Sequence, residues 1–475
     1  MQPERSPGIK LLFVGLVGFV LLVPLLMVYA LVSDRQHQAR VAQDSITAGW
    51  GGPQMLSGPV LVVPYDEETT QTENRNGQTV TRRITSRREL VIAPTRHGVE
   101  TSLEPELRKK SIYETVTYLA ETSGEAMFAL PDDLDRLDIE RASLRLAEAE
   151  LRFGVSDPRG LQGDAKASTG QGPLTLKPGR GPAASGGSGF HGYLDWDGEG
   201  DLAVDYSFTL RGSRALSLVP NGGQTDWSVS SAWAHPSFTG GFLPDAREVN
   251  DDGFRANWSI ANLALGQSIA TTSDTGIVVN AGSMAPPPPP APPPPSRMGY
   301  AESGFPAQTA EVRLVEPVDL YSQVDRSVKY GFLVIGFTFL TFLMFDLVAG
   351  ARVAAAEYLL TGAGLVLFFV LLLAFSEVIG FAAAFAGATL AIVGLLTAYS
   401  AAVLGTRRRA LTVGAILLGL YAALYVLLSL EAYSLLVGSI LLFFALAGVM
   451  YATRNIDWSS VGGRKDRDAA SAGAE

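Results

Sequence analysis

The stretch LLFVGLVGFVLLVPLLMVYALV, residues 11–32, decides the fold class because its 22 residues carry no charged side chain. A helix needs about 20 apolar residues to cross the hydrocarbon core of a bilayer, whereas the apolar core of a cleavable signal peptide has about 7–15. Lys10 precedes the stretch and Val28-Tyr29-Ala30 resembles a cleavage site. The length nevertheless favours a retained membrane anchor.

Further apolar stretches lie far downstream, at about 331–350, 355–375, 380–403, 410–430 and 434–452. The intervening segment 33–327 has the composition of an ordinary soluble protein. The sequence therefore predicts a membrane protein with six transmembrane helices, one N-terminal plus a C-terminal five-helix bundle at 331–452. A large mainly-β, sandwich-like domain at 33–327 lies between them.

Basic residues of the short loops indicate the orientation, because Lys and Arg accumulate on the cytoplasmic side. They fall on one face of the predicted spans: Arg5, Lys10, Arg352, Arg407, Arg408, Arg409, Arg454, Arg464, Lys465 and Arg467. The opposite loops carry Glu377 and Glu431. This pattern predicts a cytoplasmic N-terminus at 1–10, a cytoplasmic, partly disordered tail at 453–475, and export of the domain between.

Charge and cysteine content exclude several classes of function. The formal net charge is -10, which excludes a nucleic-acid partner because phosphate backbones require a basic face. There is no cysteine, which excludes disulfide scaffolds, thiolate catalysis and Cys-ligated metal centres. The lipid bilayer is the first partner that the sequence predicts, and no cofactor is predicted.

The predicted bundle lacks ionisable residues near its midplane, where pumps and ion-coupled transporters keep them. Asp346 and Glu357 lie near the cytoplasmic ends of their spans, and Glu377 and Glu431 lie just outside the opposite ends. All four are interpreted as interfacial. Transport is therefore disfavoured.

Short runs of alternating polarity in the exported segment favour an antiparallel sandwich of strands, either as one unit or as two subdomains. Residues 60–63 read as a buried strand and 202–210 as a half-buried one, because the latter alternate at period two. Asn76-Gly77 predicts a tight hairpin turn. Residues 36–48 and 103–110 have the composition of helices.

Two stretches have low complexity. Residues 179–189, rich in Gly and Ser, predict a flexible loop. Residues 285–296 are nearly all proline and predict a polyproline II spacer, with a proline-recognition tract as the alternative. Beyond Gly462 the polar composition predicts disorder.

Catalytic and metal-binding motifs are missing from the sequence. His37, His97, His191 and His235 have no metal-ligand spacing, and no nucleophile elbow, Walker loop or dinucleotide fingerprint occurs. The acidic run 195–201 faintly resembles a calcium loop, but its glycine is misplaced, and a hairpin turn is favoured. No catalytic residue and no metal site are predicted.

The densest group of aromatic and charged residues lies at 233–258. It supplies the candidate binding residues Trp233, His235, Phe238, Asp245, Arg247 and Glu248. These residues either line a binding cleft or form a rigid corner at which loops lock onto the sandwich. The second interpretation is favoured, because His235 has no acid or nucleophile nearby in the sequence.

Several motifs resemble the CreD family of bacterial inner-membrane proteins, also called cell envelope integrity proteins. They occupy residues 51–59, 155–160, 218–220, 235–249, 376–377 and 453–458. The run HPSFTGGFLPDAREV at 235–249 is the most specific. The proline tract and the Gly-Ser loop look like insertions relative to the family pattern.

The resemblance implies a multi-pass protein of the bacterial inner (plasma) membrane with a periplasmic domain at 33–327 and both termini cytoplasmic. It also implies a role in envelope integrity and stress response, and it supplies no catalytic residue. The leading hypothesis is a non-enzymatic protein whose periplasmic domain binds a protein, lipid or cell-wall component. The alternative is a membrane-embedded enzyme acting on envelope glycans or lipids, with acids drawn from Asp157, Asp245 and Glu248.

Overall fold

A computed structural model describes residues 7–75, 78–272, 308–315, 320–348, 354–403, 405–429 and 434–454. The chain divides into two compact units. The first, here called the membrane unit, comprises Met1–Arg40 and Val318–Glu475, and the second, the β-domain, comprises Val41–Pro317. The proline tract at 285–296 and the polar tail beyond Gly462 lie outside the described residues.

Helix α1 (Pro7–Trp50) is a single helix of 44 residues that includes both the predicted anchor at 11–32 and the predicted helix at 36–48. Pro24 lies inside it, which membrane helices tolerate. No proline lies between Val32 and Trp50, and Gly51 and Pro53 follow the end of the helix. Both sequence predictions are confirmed, and the two predicted helices are continuous.

Strands dominate the β-domain. In chain order they are β1 (Gln54–Arg75), β2 (Gln78–Ile92), β3 (Arg96–Lys110), β4 (Tyr113–Phe128), β5 (Ala149–Val155), β6 (Leu161–Thr169), β7 (Gly172–Pro173), β8 (Leu176–Pro178), β9 (Gly189–Leu194), β10 (Leu202–Ser213), β11 (Ala215–Val219), β12 (Gln224–Ser231), β13 (Pro236–Gly240), β14 (Ala246–Asn250), β15 (Gly253–Ala261), β16 (Ala270–Thr271) and β17 (Ala310–Leu314), with the short helix α2 (Asn262–Leu265) after β15.

These strands form two sheets. The nine-stranded sheet has the order β13-β17-β11-β1-β5-β9-β8, with β2 paired to β1 and β16 paired to β2. The eight-stranded sheet has the order β14-β15-β12-β3-β4-β10-β6-β7. Two pairings, β1 with β11 and β3 with β12, are parallel, so the sheets are mixed and not purely antiparallel as predicted.

Both sheets contribute to one hydrophobic core, which confirms the mainly-β, sandwich-like fold class. Its largest fully buried side chains include Trp227, Trp258, Tyr118 and Phe128. Burying aromatic side chains of this size contributes about 2–3 kcal/mol each.

Two strand predictions are confirmed in detail. Residues 60–63 lie in β1 and are buried, and residues 202–210 lie in β10, where buried and exposed residues alternate. Arg75 pairs with Gln78, so β1 and β2 form the predicted hairpin. The turn residues Asn76-Gly77 lie outside the described residues.

The predicted helix at 103–110 is wrong, because these residues form the end of β3. Their Glu, Arg and Lys content suits a helix, but pairing with β4 along the whole strand overrides that local preference. Pro105 is tolerated since β12 pairs with β3 only as far as Leu103.

The predicted flexible loop at 179–189 is also wrong. Ala184 and Ser185 are buried, and Ala184 packs with Met55 and Val219. A side chain on Gly189 would collide with the carbonyl oxygen of Phe153, so this glycine permits close backbone approach. The Gly-Ser composition here reflects tight packing.

The acidic run 195–201 is not a hairpin turn. It connects β9 of the nine-stranded sheet to β10 of the eight-stranded sheet, so it crosses between the sheets. Trp196 is buried, and Asp197 Oδ1 accepts a hydrogen bond of 2.9 Å from the backbone N–H of Glu199. The carboxylate therefore stabilises a turn in the crossover.

The membrane unit continues after the β-domain with α3 (Leu320–Lys329), α4 (Gly331–Val348), α5 (Ala355–Ile379), α6 (Phe381–Val403), α7 (Arg407–Ser429) and α8 (Ser434–Thr453). Within the described residues, five helical runs are long and apolar enough to cross a membrane: Leu12–Trp50, Leu320–Met344, Ala355–Ile379, Phe381–Val403 and Arg407–Ser429. Helix α8 coincides with the sixth predicted span. The amphipathic helix α3 is an element that the sequence did not predict.

A stripe of α1 packs into this unit. Leu21, Leu25, Val28 and Val32 recur every three or four residues and are buried with side chains of α4 and α5. Ala384 and Ala388 of α6 are fully buried, as expected of small residues that let helices approach closely.

Ionisable groups of the membrane unit contact helix ends. Glu357 Oε2 accepts a hydrogen bond of 2.7 Å from the backbone N–H of Ala354 at the start of α5. Glu377, near the end of α5, accepts one of 3.2 Å from the Tyr321 hydroxyl and lies 4.0 Å from the Arg35 guanidinium. The side chains of Asp346 and Glu431 lie outside the described residues.

Candidate functional site

The segment 233–258 connects the edges of the two sheets. It contains β13 at one end of the nine-stranded sheet, then β14 and most of β15 at one end of the eight-stranded sheet. The chain therefore passes from one layer of the sandwich to the other within these residues, which makes the segment a corner.

Aromatic side chains fill this corner. Phe238 contacts Phe254 and Trp258 edge to face, with ring centroids 5.8 Å apart in each pair. Trp258 stacks on Trp227 at 4.7 Å. The Trp233 indole N–H donates a hydrogen bond of 3.0 Å to the Val315 carbonyl oxygen. Trp233 and Phe238 are thus partly buried side chains that pack against the core.

The remaining candidate residues are exposed. The carbonyl oxygen of His235 accepts a hydrogen bond of 3.1 Å from the Val315 N–H, while the His235 side chain points to solvent. Asp245 Oδ2 accepts a hydrogen bond of 2.7 Å from the Ser259 N–H, and Arg247 and Glu248 lie exposed on β14. The structure therefore separates the candidates. Asp245, Arg247 and Glu248 form a polar group at the edge of the eight-stranded sheet. His235 lies apart from them, directly before β13 of the nine-stranded sheet.

The polar group borders the solvent-facing side of the eight-stranded sheet, which is here called the outer face. Strand register places Glu125 directly opposite Asp205, and Gly98 opposite Glu125 on the other side. Asp226 lies opposite Gly98 in turn. Carboxylates directly opposite one another repel, so this arrangement lowers the stability of the isolated sheet.

Three open grooves run along the outer face, with volumes of about 610, 650 and 670 Å³. Carboxylate and hydroxyl side chains make up most of the residues that line the first two grooves and nearly half of those that line the third. Asp245 lines the second groove and Glu248 the third. Lys166 and Arg255 line the first groove with Glu100 and Glu121, so cations are present but outnumbered.

A buried polar pair lies beneath the outer face. The His97 Nε2 atom is 2.8 Å from the Tyr206 hydroxyl, and both residues are buried. Burial lowers the pKa of His97 from 6.5 to about 4, although the nearby Asn221 side chain opposes the shift. His97 is therefore neutral near pH 7, and burial also raises the pKa of Tyr206. A side chain on Gly124 would collide with Tyr206, so this glycine makes room for the pair.

Among the acids of the enzymatic alternative, Asp157 lies apart from the grooves that Asp245 and Glu248 line. Asp157 lies in the turn before β6 and forms hydrogen bonds of 2.9 and 2.8 Å with the Arg159 guanidinium, which lower the pKa of its carboxyl. Asp245 and Glu248 line different grooves, and Asp157 lines none of the three. A glycosidase needs two facing carboxyls about 5–10 Å apart, one of them protonated, and Asp157 does not meet this requirement.

A second charged cluster lies on the opposite side of the sandwich, on the nine-stranded sheet. Arg152 donates to both oxygens of Glu89 at 3.1 and 2.8 Å and to Glu150 at 3.1 and 3.3 Å. Arg180 lies 3.0 Å from Glu150. Arg152 and Glu150 are buried, so the charges are balanced and paired within the protein.

Sequence reasoning missed both the outer face and the ionic cluster. Glu125 and Asp205 of the outer face lie far apart in the chain, as do Glu89 and Arg152 of the ionic cluster, and each pair meets only in the folded sheet. The alternation of polar residues along β3 and β4 was the available signal, but the interpretation of 103–110 as helical concealed it. Within the described residues, no three His, Asp or Glu side chains lie close enough to hold a metal ion.

Comparisons with known proteins agree with this architecture. A family model described as inner membrane protein CreD matches residues 6–459. A curated relative, inner membrane protein CreD of Escherichia coli (strain K12), is 32% identical over 449 residues. That alignment covers 92% of this chain and 91% of the relative.

Proposed function

We propose that this chain, which belongs to the CreD family of inner membrane proteins, supports the bacterial cell envelope by binding an envelope component through its β-domain. The component is a protein, a lipid or a part of the cell wall. Inner-membrane residence follows from the family. Envelope support, the stress-response role and the binding partner are the proposal.

The outer face of the eight-stranded sheet is the observation that carries this proposal. It presents grooves of about 610–670 Å³ on regular strands, with carboxylates and hydroxyls directed to solvent. Opposed like charges such as Glu125 and Asp205 reduce stability, and such costs are typical of functional surfaces. The grooves are wide and open to solvent, which favours binding over catalysis.

The proposed orientation places the β-domain in the periplasm and both termini in the cytoplasm. Alkaline phosphatase becomes active only when it is exported to the periplasm. A fusion after Asn76 is therefore expected to be active, and a fusion after Arg408, within a basic cytoplasmic loop, is expected to be inactive. An inactive fusion after Asn76 and an active fusion after Arg408 would place the β-domain in the cytoplasm and contradict the proposal.

A blocking substitution tests the binding surface. Ser123 is exposed in the centre of the outer face, between Glu100 and Ser207 of the neighbouring strands. Ser123→Arg fills the groove with a long side chain. The carboxylates of Glu100 and Glu121 offset the positive charge that it adds. In cells that lack the chromosomal gene, we expect this variant to be made at normal abundance and to leave the envelope sensitive to detergents.

Gln171→Arg is the matched control. Gln171 is exposed in the turn between β6 and β7, outside the three grooves. Gln171→Arg adds the same side chain and charge as Ser123→Arg, and we expect it to complement fully. Full complementation by Ser123→Arg at equal abundance would show that the outer face does not carry the function.

A further inference from the structure

Within the part of the chain that the structure describes, the end strands of the two sheets differ in how well their edges are protected. Strand β7 has two residues and β8 has three, and each contains a proline. Strand β13 begins with Pro236. Strand β14 has five residues, no proline, and every one of them is exposed. Natural sheets usually shorten such edges or interrupt them with proline, because an open edge pairs with other strands.

Main-chain groups of β14 point away from the sheet at two residues. Asn250 and Gly253 close a two-residue turn, so hydrogen-bonded pairs alternate from there along β14 and β15. The main-chain N–H and C=O groups of Glu248 and Asn250 therefore form hydrogen bonds with β15. The N–H and C=O groups of Arg247 and Val249 are directed outward, in the spacing that an added strand requires.

Side chains beside this edge are mainly acidic. Glu248 lies opposite Arg255 on the outer face, and both line the groove of about 670 Å³. Glu104 and Asp252 line the same groove. Three carboxylates and one guanidinium thus surround the position where side chains of an added strand would enter.

We propose that β14 is a docking edge for an extended polypeptide segment that carries a basic side chain and joins the eight-stranded sheet as a further strand. The segment pairs with the outward groups of Arg247 and Val249. Its residue opposite Glu248 is Lys or Arg, and its residue opposite Val249 is apolar. This proposal rests on the proposed function and narrows the envelope component to a polypeptide.

A second copy of the chain fits this edge less well. The antiparallel register that pairs all five residues of two β14 strands is centred on Glu248. It places Glu248 of one copy directly opposite Glu248 of the other, and opposed like charges are unfavourable. Charge complementarity therefore favours a basic partner over self-association.

Peptide binding to the full-length protein in detergent tests the edge. The probe is a short fluorescent peptide of alternating Val and Thr with Lys at its central polar position, and a matched peptide has Glu there. We expect the Lys peptide to bind about fivefold more tightly than the Glu peptide, since a favourable cross-strand ion pair replaces a repulsive one. Glu248→Gln is expected to reduce that preference.

Val249→Pro removes one outward N–H and leaves the hydrogen bonds to β15 in place. We expect it to weaken binding of the Lys peptide at least about tenfold, because proline also obstructs the approach of a strand. Val249→Thr keeps the N–H and is expected to bind as the wild type does. Where Val249→Pro does not fold, Arg247→Pro removes the other outward N–H.

Equal binding by the proline and threonine variants, or no binding of either peptide, would overturn the proposal. A mass twice that of the monomer by light scattering, lost in Val249→Pro, would assign the edge to a second copy and overturn it as well. Full complementation by Val249→Pro beside failure of Ser123→Arg would reject the edge and leave the proposed function intact. Failure of Val249→Pro and of Ser123→Arg to complement at normal abundance would support both the docking edge and the proposed function.

Discussion

The two outer surfaces of the sandwich treat charge in opposite ways. On the nine-stranded sheet, buried Arg152 pairs with Glu89 and Glu150, so the charges are satisfied within the chain. On the eight-stranded sheet, Glu125 and Asp205 lie directly opposite each other and face solvent. The first surface is complete in itself. The second retains a repulsion between opposed carboxylates, which the proposed partner would relieve.

The largest expected loss of stability comes from removing one charge from the ionic cluster on the nine-stranded sheet. Arg152→Met leaves Glu150 buried with only Arg180 beside it, and removal of one partner of a buried pair costs about 3–5 kcal/mol. We expect strong destabilisation of the β-domain. Tryptophan fluorescence of the full-length protein measures it, since five of the six Trp residues lie between residues 41 and 317.

Arg180→Met is the control for that change. Arg180 is half-exposed, so the free energy of unfolding should fall by only about 1 kcal/mol. Equal destabilisation by the two variants would contradict the view that burial of Arg152 makes this surface self-contained.

Acid should weaken the β-domain beneath the other surface. The pKa of His97 is about 4 in the folded protein and 6.5 when unfolded, so the unfolded state binds the proton first. The stability due to neutral His97 is present above pH 6.5 and is lost progressively as the pH falls toward 4. The full loss is about 3 kcal/mol.

Denaturant unfolding at a series of pH values checks this. His97→Gln cannot be protonated, so its stability should fall less than that of the wild type over the same range. An identical decline in both proteins would assign the acid sensitivity to other groups.

The aromatic corner should behave as structure. Phe238→Ala removes ring contacts with Phe254 and Trp258, and because Phe238 is only partly buried we expect a cost of about 2 kcal/mol. Envelope sensitivity should then follow the amount of protein in immunoblots. A null phenotype at normal abundance would instead place Phe238 in the binding surface.

The apolar helices and the fold class were predictable because they depend on local pattern. The length of the apolar stretch 11–32 predicts a membrane span, and the alternation of polarity at 202–210 predicts a strand. Residues 103–110 were misread because their charged side chains suit a helix and only pairing with β4 makes them a strand.

The candidate site was only partly predictable. Asp245, Arg247 and Glu248 do lie at the edge of the outer face, but Trp233 and Phe238 are partly buried and pack against the core. Glu125 and Asp205 are far apart in the chain, and only strand register places them opposite each other. A one-residue shift of register would separate them, so no local pattern reveals the pair.

The smallest expected change in stability gives the most direct test. Glu125→Gln combined with Asp205→Asn removes the opposed charges, so the β-domain should become about 0.5 kcal/mol more stable. If the outer face binds an envelope component, the same variant should fail to restore detergent resistance at normal abundance. Asp132→Asn with Asp135→Asn, two exposed acids away from the grooves, is the control. A more stable protein with impaired complementation is the predicted result, and full complementation would contradict the account.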